Sequence, residues 1–281
     1  MALVAGIHFP KIEWVRFSKL QTTNLNRDIM DSHVTTMEGS IKNTGFADVI
    51  KVFPADKYGM YTIAESAHRY HSLGILFGDN DPKIPVAIID WIDVEDQEMV
   101  QATIITLNVK GKGWITFDYA KSYSEVKSKP NATLFKEIYE NMKKLQGLLS
   151  NGIVASCYTK QKGVHKDIRE GTLTVSALDR LYVDKLIERL PLLVAGVGES
   201  KIKHQFLRRY VWALWLAQDK MLDKNNKPDF AEWSKFFNFT IEQIELAADN
   251  NYTLADGDTS FADWWGKISK RFGYGLTYPV K

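Results

Sequence analysis

The sequence predicts an α+β fold: an α/β part over residues 1–113, followed by an all-helical part over residues 114–281. Three observations carry this. Up to about residue 100, short extended runs alternate with short helical ones. Beyond it, apolar residues recur at helical spacing through most of the chain. The 281 residues, 45% hydrophobic and 25% charged, are enough for one large packed domain or two modest ones.

Taken in order, "IEWVRFSKL" reads as a strand, with Ile12, Trp14 and Phe17 among its apolar residues. "DSHVTTMEGSIKNTG" opens on two good N-caps, Asp31 and Ser32. It spaces Val34, Met37 and Ile41 at helical intervals and stops at Gly45. "DVIKVFP" and "GMYTIAE" are strands joined by a turn around "ADKYG". A helix follows across "SAHRYHSLGILFG", ending at Gly78, and "IPVAIIDWI" is a continuous apolar run that suits a buried strand. The change to helix falls at roughly Val94 to Trp114. "VEDQEMVQATIITLN", "ITFDYAKSYSEV" and "NATLFKEIYENMKKLQGLLSNG" come next, the last starting at Asn131 after Pro130. "TVSALDRLYVDKLIERLPLLV" and "KIKHQFLRRYVWALWLAQDKM" are long amphipathic helices. "DNNYTLADGDTS" is a polar loop, and "FADWWGKISKRFGYG" a final short helix.

The 36 basic side chains nearly cancel the 34 acidic ones, so total charge points to no partner. The distribution is uneven: Asp79 to Glu98 is acidic, and lysine and arginine cluster repeatedly from Lys110 onward. Cys157 is the only cysteine, which excludes an internal disulfide and argues against a Cys-based zinc site. The first residues lack the basic start and long apolar run of a signal peptide, and "LPLLVAGVG" is too short to span a membrane. The expectation is a cytoplasmic protein with no membrane partner.

The stretch "ESAHRYHSL" places a cation at a strand-to-helix junction. A helix N-terminus offers unpaired N–H groups and the positive end of the helix dipole. Arg69 can fork to phosphate oxygens, and His68 can donate a further hydrogen bond. On spacing alone the alternative is commoner: ordinary first-turn residues paired with the acidic "DNDP" or "DVED" segments.

"SIKNTGFADVIKV" followed by "YTIAESAHRYHSL" resembles the N-terminal domain of the ParB/sulfiredoxin superfamily. Members on phages and mobile elements often carry "DGQHR" at the phosphate motif. Here Glu65 stands for the Asp, Ser66 for the Gly and Ala67 for the Gln, while His68 and Arg69 match. Arg27 falls where the family has an arginine before its first helix. "TIITLNVKGKGW" occupies the place of the "ENLQR" element, of which Asn108 is retained. The likeness spans about the first 125 residues.

The resemblance implies a ParB/sulfiredoxin-like α/β domain that binds a nucleoside triphosphate, CTP or ATP, with magnesium, and a homodimer that closes around DNA in a bacterial or phage-infected cell. By position, Ser66, His68 and Arg69 would meet phosphates, and Gly45 to Val49 would line the base pocket. Asn108 would lie near the triphosphate and metal, and Arg27 and Lys110 would add charge. Leu107 replaces the acidic residue that helps hold the metal, and Ser66 restricts how closely the backbone can approach a phosphate. Sulfiredoxin chemistry is excluded because its thiolate position is Ala67. Enzymatic readings, as a ParB-like nuclease or small phosphotransferase, would draw catalytic groups from Glu65, Asn108, Glu38 or Asp48.

In the second half, "HKDIREGTLTVSAL" resembles the segment after the ParB helix-turn-helix. "LFKEIYENMKKLQGLLSNGIVASCYTKQKG" has the length for two helices turning at Gly147, and the second, about Ser150 to Lys160, would be the recognition helix. Lys143, Lys144, Lys160, Lys162 and Lys166 around it would contact DNA phosphates. The alternative is a helical bundle with a solvated basic face, serving as a protein-interaction module. Phe206, Tyr210, Trp212 and Trp215 read as core. The polar "DNNYTLADGDTS" lacks EF-hand spacing. No histidines pair at metal-ligand spacing.

Overall fold

The structure, a computed structural model, describes residues 8–26, 28–108, 114–126, 130–161, 165–198, 201–250, 254 and 257–280. Contacts divide the chain into two compact units, Met1–Ala132 and Thr133–Lys281. The sequence reading divides the chain between 113 and 114, whereas the contact boundary follows Ala132.

The first unit holds a five-stranded sheet. Its strands are β1 (Lys11–Arg16), β2 (Leu20–Gln21), β3 (Ile50–Ala55), β4 (Tyr61–Glu65) and β5 (Lys83–Ile88), in the order β1-β5-β3-β4-β2. The pairs β1–β5 and β3–β4 are antiparallel; β5–β3 and β4–β2 are parallel. The helices are α1 (Asp31–Thr44), α2 (Ala67–Phe77), α3 (Gln97–Asn108) and α4 (Thr116–Glu125). Val15, Leu20, Ile50, Val52, Ile63, Ile84, Val86 and Ile88 form the core with Leu73 of α2, and Ile41 of α1 packs against them. Every apolar position of a strand in this set sits two residues from the next on one face, as the pleat requires.

The single strand expected over "IEWVRFSKL" is broken. β1 ends at Arg16, a 3-10 turn covers Phe17–Lys19, and the chain resumes as β2 on the opposite edge of the sheet. The cause is tertiary. Asp81 accepts from the Ser18 N–H at 2.7 Å and from its hydroxyl at 2.9 Å, while Phe17 stacks on Tyr70 at 4.7 Å. These contacts pull the chain off the line of β1.

Pro85 within β5 removes no ladder bond. Phe17 N–H donates to Pro82 O, so the odd residues of β1 form the bonded pairs and Trp14 faces Pro85 in an unbonded one. Pairing to β3 begins only at Val86. The same register leaves the N–H and C=O groups of Ile12 and Trp14 pointing away from β5.

The second unit is helical: α5 (Ala132–Lys144), α6 (Asn151–Tyr158), the short α7 (Lys166–Arg169), α8 (Ala177–Val197), α9 (His204–Gln218), α10 (Phe230–Asp249) and α11 (Asp258–Phe272). α5 and α6 turn at Gly147, whose φ of 92° only glycine adopts freely. The sequence reading names no element between Met221 and Asp249, where the structure has α10. Its signals are ordinary: Asp229 caps by accepting from Glu232 N–H at 3.0 Å, and Trp233, Phe236, Phe237, Thr240, Ile241 and Ile244 are buried at helical spacing. Phe206, Tyr210 and Trp215 of α9 are buried as expected of core, and Trp212 meets Tyr278 edge-on at 5.3 Å.

Candidate functional site

β4 delivers the chain to Ser66, which sits at φ 80°, ψ 27° and starts α2 without a side-chain cap. A non-glycine residue in the left-handed region costs about 1 kcal/mol and marks a place held by its surroundings. The Ser66 side chain therefore caps none of the first N–H groups of α2. Ser66→Gly is expected to raise the melting temperature of the protein by a few degrees, and Ser66→Val to lower it by more, since a β-branched residue fits this φ worst. Thermal unfolding by circular dichroism checks both.

Arg69 projects from the first turn of α2, its side chain 32% exposed. One guanidinium nitrogen, Nη1, donates to the Ser66 hydroxyl at 3.0 Å and pairs with the Asp48 carboxylate. Asp48 lies in the loop after α1 and accepts from the Val49 N–H at 2.8 Å. Arg69, loop residues 45–48, and Met37, Ser40 and Ile41 of α1 enclose an open pocket of about 410 Å3. α1 buries only Val34 completely, so the rest of its apolar stripe, half-buried Met37 and Ile41, floors this pocket. Gly45 ends α1 at φ 78°, turning the chain so that Phe46 and Ala47 face the pocket. The arrangement is a cation at the rim of an apolar recess, able to take an anion carrying a flat apolar body.

The other candidate residues divide. His68, next to Arg69, is buried. Its Nε2 accepts from the Met30 N–H at 3.2 Å, and its ring meets that of His33 edge-on at 4.9 Å. That geometry ties α2 to the start of α1, with the ring facing inward. Glu65 pairs with Lys51 Nζ at 2.5 Å across the β3–β4 ladder. Asn108 donates to Ile104 O at 2.7 Å and to Ala64 O at 3.4 Å, anchoring the end of α3 beside β4 two residues before Ser66. Arg27 and Lys110 lie outside the described residues. Among those described, no three His, Cys, Asp or Glu side chains converge on a metal position. Leu107 offers no ligand to a magnesium ion, and Asn108, whose amide nitrogen is the group engaged by backbone, could offer one only through its Oδ1.

Nothing local in the sequence marks Asp48 as the partner of Arg69, or Met37 and Ser40 as pocket lining. The i, i+3, i+4 spacing of Met37, Ser40 and Ile41 signals a shared helix face and nothing about what that face meets.

In the helical unit, the proposed recognition helix is corrected. α6 buries Ile153, Val154, Ala155, Ser156, Cys157 and Tyr158, and packs on α8 and α9. A helix so enclosed has no face to lay in a DNA groove; its run "GIVASCY" lacks a polar stripe because it is core. Lys160 is paired with Asp179 at 2.9 Å and lies over the Trp215 ring at 5.2 Å. Lys166 approaches Glu170 at 3.8 Å, Lys143 lies over the Tyr139 ring at 5.7 Å, and Lys144 is exposed at the end of α5. Lys162 lies outside the described residues.

No protein-family model and no curated protein matches this chain. Among solved structures, the C-terminally truncated chromosome-partitioning protein ParB from Caulobacter crescentus, complexed with CTP-gamma-S, is similar over 64% of this chain and 98% of its own. The identity is 16% and the TM-score 0.31. A score so low establishes no common fold, and the pocket's own geometry carries the functional reading.

Proposed function

We propose that the pocket beside Arg69 binds a phosphate-bearing ligand with a flat apolar body, a nucleotide, and that the protein acts through binding rather than turnover. The supporting observation is Arg69 itself: a permanently charged fork, partly exposed, at the rim of a recess floored by apolar side chains and beside an uncapped helix start. Asp48 holds the guanidinium in the absence of ligand. A partly exposed ion pair of this kind is worth at most about 1 kcal/mol, so a phosphate of higher charge displaces it. The two residues nominated for catalysis favour binding over chemistry, because Glu65 and Asn108 are committed to Lys51 and to backbone carbonyls.

A thermal-shift titration with CTP and with ATP tests this. Ligand at a hundredfold excess over Kd stabilises the folded chain by about 2.7 kcal/mol. Arg69→Ala abolishes the shift and lowers the unliganded melting temperature by no more than a few degrees, the worth of the Asp48 pair. Arg69→Lys retains part of it, because the fork is lost but the charge is kept. Asp48→Asn strengthens binding by removing the competing carboxylate. Equal shifts for the wild type and Arg69→Ala would show that the nucleotide binds elsewhere.

A further inference from the structure

Among the described residues, β1 is the long free edge of the sheet; the opposite edge, β2, has only two residues. Along β1, burial alternates. Val15 faces the core, while Ile12 and Trp14 stand on the other face, 54% and 66% exposed. Their backbone N–H and C=O groups point outward from the sheet, since the odd residues supply the bonds to β5. An edge strand that carries exposed aliphatic and indole side chains and unpaired backbone groups is a template for another strand.

We infer that the occupant is a second copy of this chain, pairing antiparallel through β1 with Ile12 on the twofold axis. Backbone geometry limits the register to pairs of even-numbered residues, and charge decides among them. Centring on Glu13 would set Glu13 against its own copy, a like-charge contact. Centring on Trp14 leaves Lys11 and Glu13 facing Phe17 and Val15. Centring on Ile12 sets Lys11 of each copy against Glu13 of the other in two unbonded cross-strand pairs, where side chains lie closest. It also brings Ile12 against Ile12 and Trp14 against Pro10, covering both exposed apolar groups. Pro10 lacks an N–H but its carbonyl accepts from Trp14, so the seam ends there without an unpaired donor. Lys11 and Glu13 already form an ion pair within one chain at 2.5 Å; the seam closes these into an alternating square of four charges. A single strand seam is small beside the about 1,600 Å2 of a standard interface, so association is reversible and falls in the micromolar range.

The test is sedimentation velocity of the full chain across micromolar concentrations, with cysteine crosslinking. Cys157 is buried and does not interfere. Opposed residues in a bonded pair have Cα atoms about 5.5 Å apart, within disulfide reach, so Ile12→Cys crosslinks rapidly under mild oxidation. Trp14→Cys does not, because the two copies of residue 14 lie roughly 14 Å apart in this register. Lys11→Glu raises the dissociation constant about tenfold, by turning both cross-strand pairs repulsive. Adding Glu13→Lys to it restores wild-type association. A chain that stays monomeric throughout, a dimer indifferent to Lys11→Glu, or crosslinking at residue 14 in preference to 12 each overturns the inference. None of these outcomes depends on the Arg69 pocket.

Discussion

Trp233→Ala lowers the stability of the helical unit by about 3–5 kcal/mol, the largest effect expected of any single change described. The indole is 1% exposed. It stacks on Phe230 and Phe237, with ring centroids 6.0 and 5.2 Å away, and meets Tyr182 edge-on at 4.7 Å. Its N–H donates to Leu214 O at 2.9 Å, joining α10 to α9. Truncation removes the transfer energy of a whole aromatic side chain and leaves a cavity that rigid helices cannot close. For a unit of this size the melting transition should fall by roughly 10 °C. Trp233→Phe keeps the stacking and loses only the hydrogen bond and some volume, so it costs about 1–2 kcal/mol. Thermal unfolding of both variants checks the ordering. Equal losses would mean that the hydrogen bond, and not the packing, carries the contact.

Acidification should destabilise the same unit before most carboxylates titrate, through His165. Its ring is buried, with Nδ1 3.0 Å from the Thr159 hydroxyl. Burial is the main force lowering its pKa from 6.5 to about 4; the nearby Arg208 charge adds to the effect, and a bond to the Gly152 carbonyl opposes it. The unfolded chain therefore binds a proton that the folded chain refuses. The stability this residue contributes is complete above pH 6.5 and is lost as pH falls from there towards about 4. In full it amounts to about 3 kcal/mol, of which about 2 kcal/mol is gone by pH 5. Urea unfolding at a series of pH values should show this slope in wild type and a flatter one in His165→Gln. An unchanged slope in the variant would assign the acid sensitivity to other groups.

Much of the architecture was written in local order. The strands over β3, β4 and β5 and most helices follow from alternation, helical spacing and stops at Gly45, Gly78 and Gly147, all three of which adopt positive φ. The cation at the start of α2 was legible for the same reason: a strand, a short polar junction and an apolar-periodic run fix where a first turn begins. Burial of α6 was legible too, since "GIVASCY" offers no polar face, but a resemblance in length to a recognition helix outweighed it.

What local order left open was direction and partnership. His68 and Arg69 are adjacent and both basic in type, yet a helix turns about 100° per residue. α2 buries His68, Ser72 and Leu73, so the one side chain goes inward and its neighbour outward. Which of them faces the pocket depends on where α1 packs, a contact made 38 residues away through Met30. The Asp48 partner of Arg69, the break of the first strand at Phe17 and the enclosure of α6 by α8 and α9 have the same origin. Spacing along a chain encodes the period and the ends of each element. The side chains an element finds opposite it are decided only when distant segments close, because burial energy depends on what is brought into contact and not on what is adjacent in sequence.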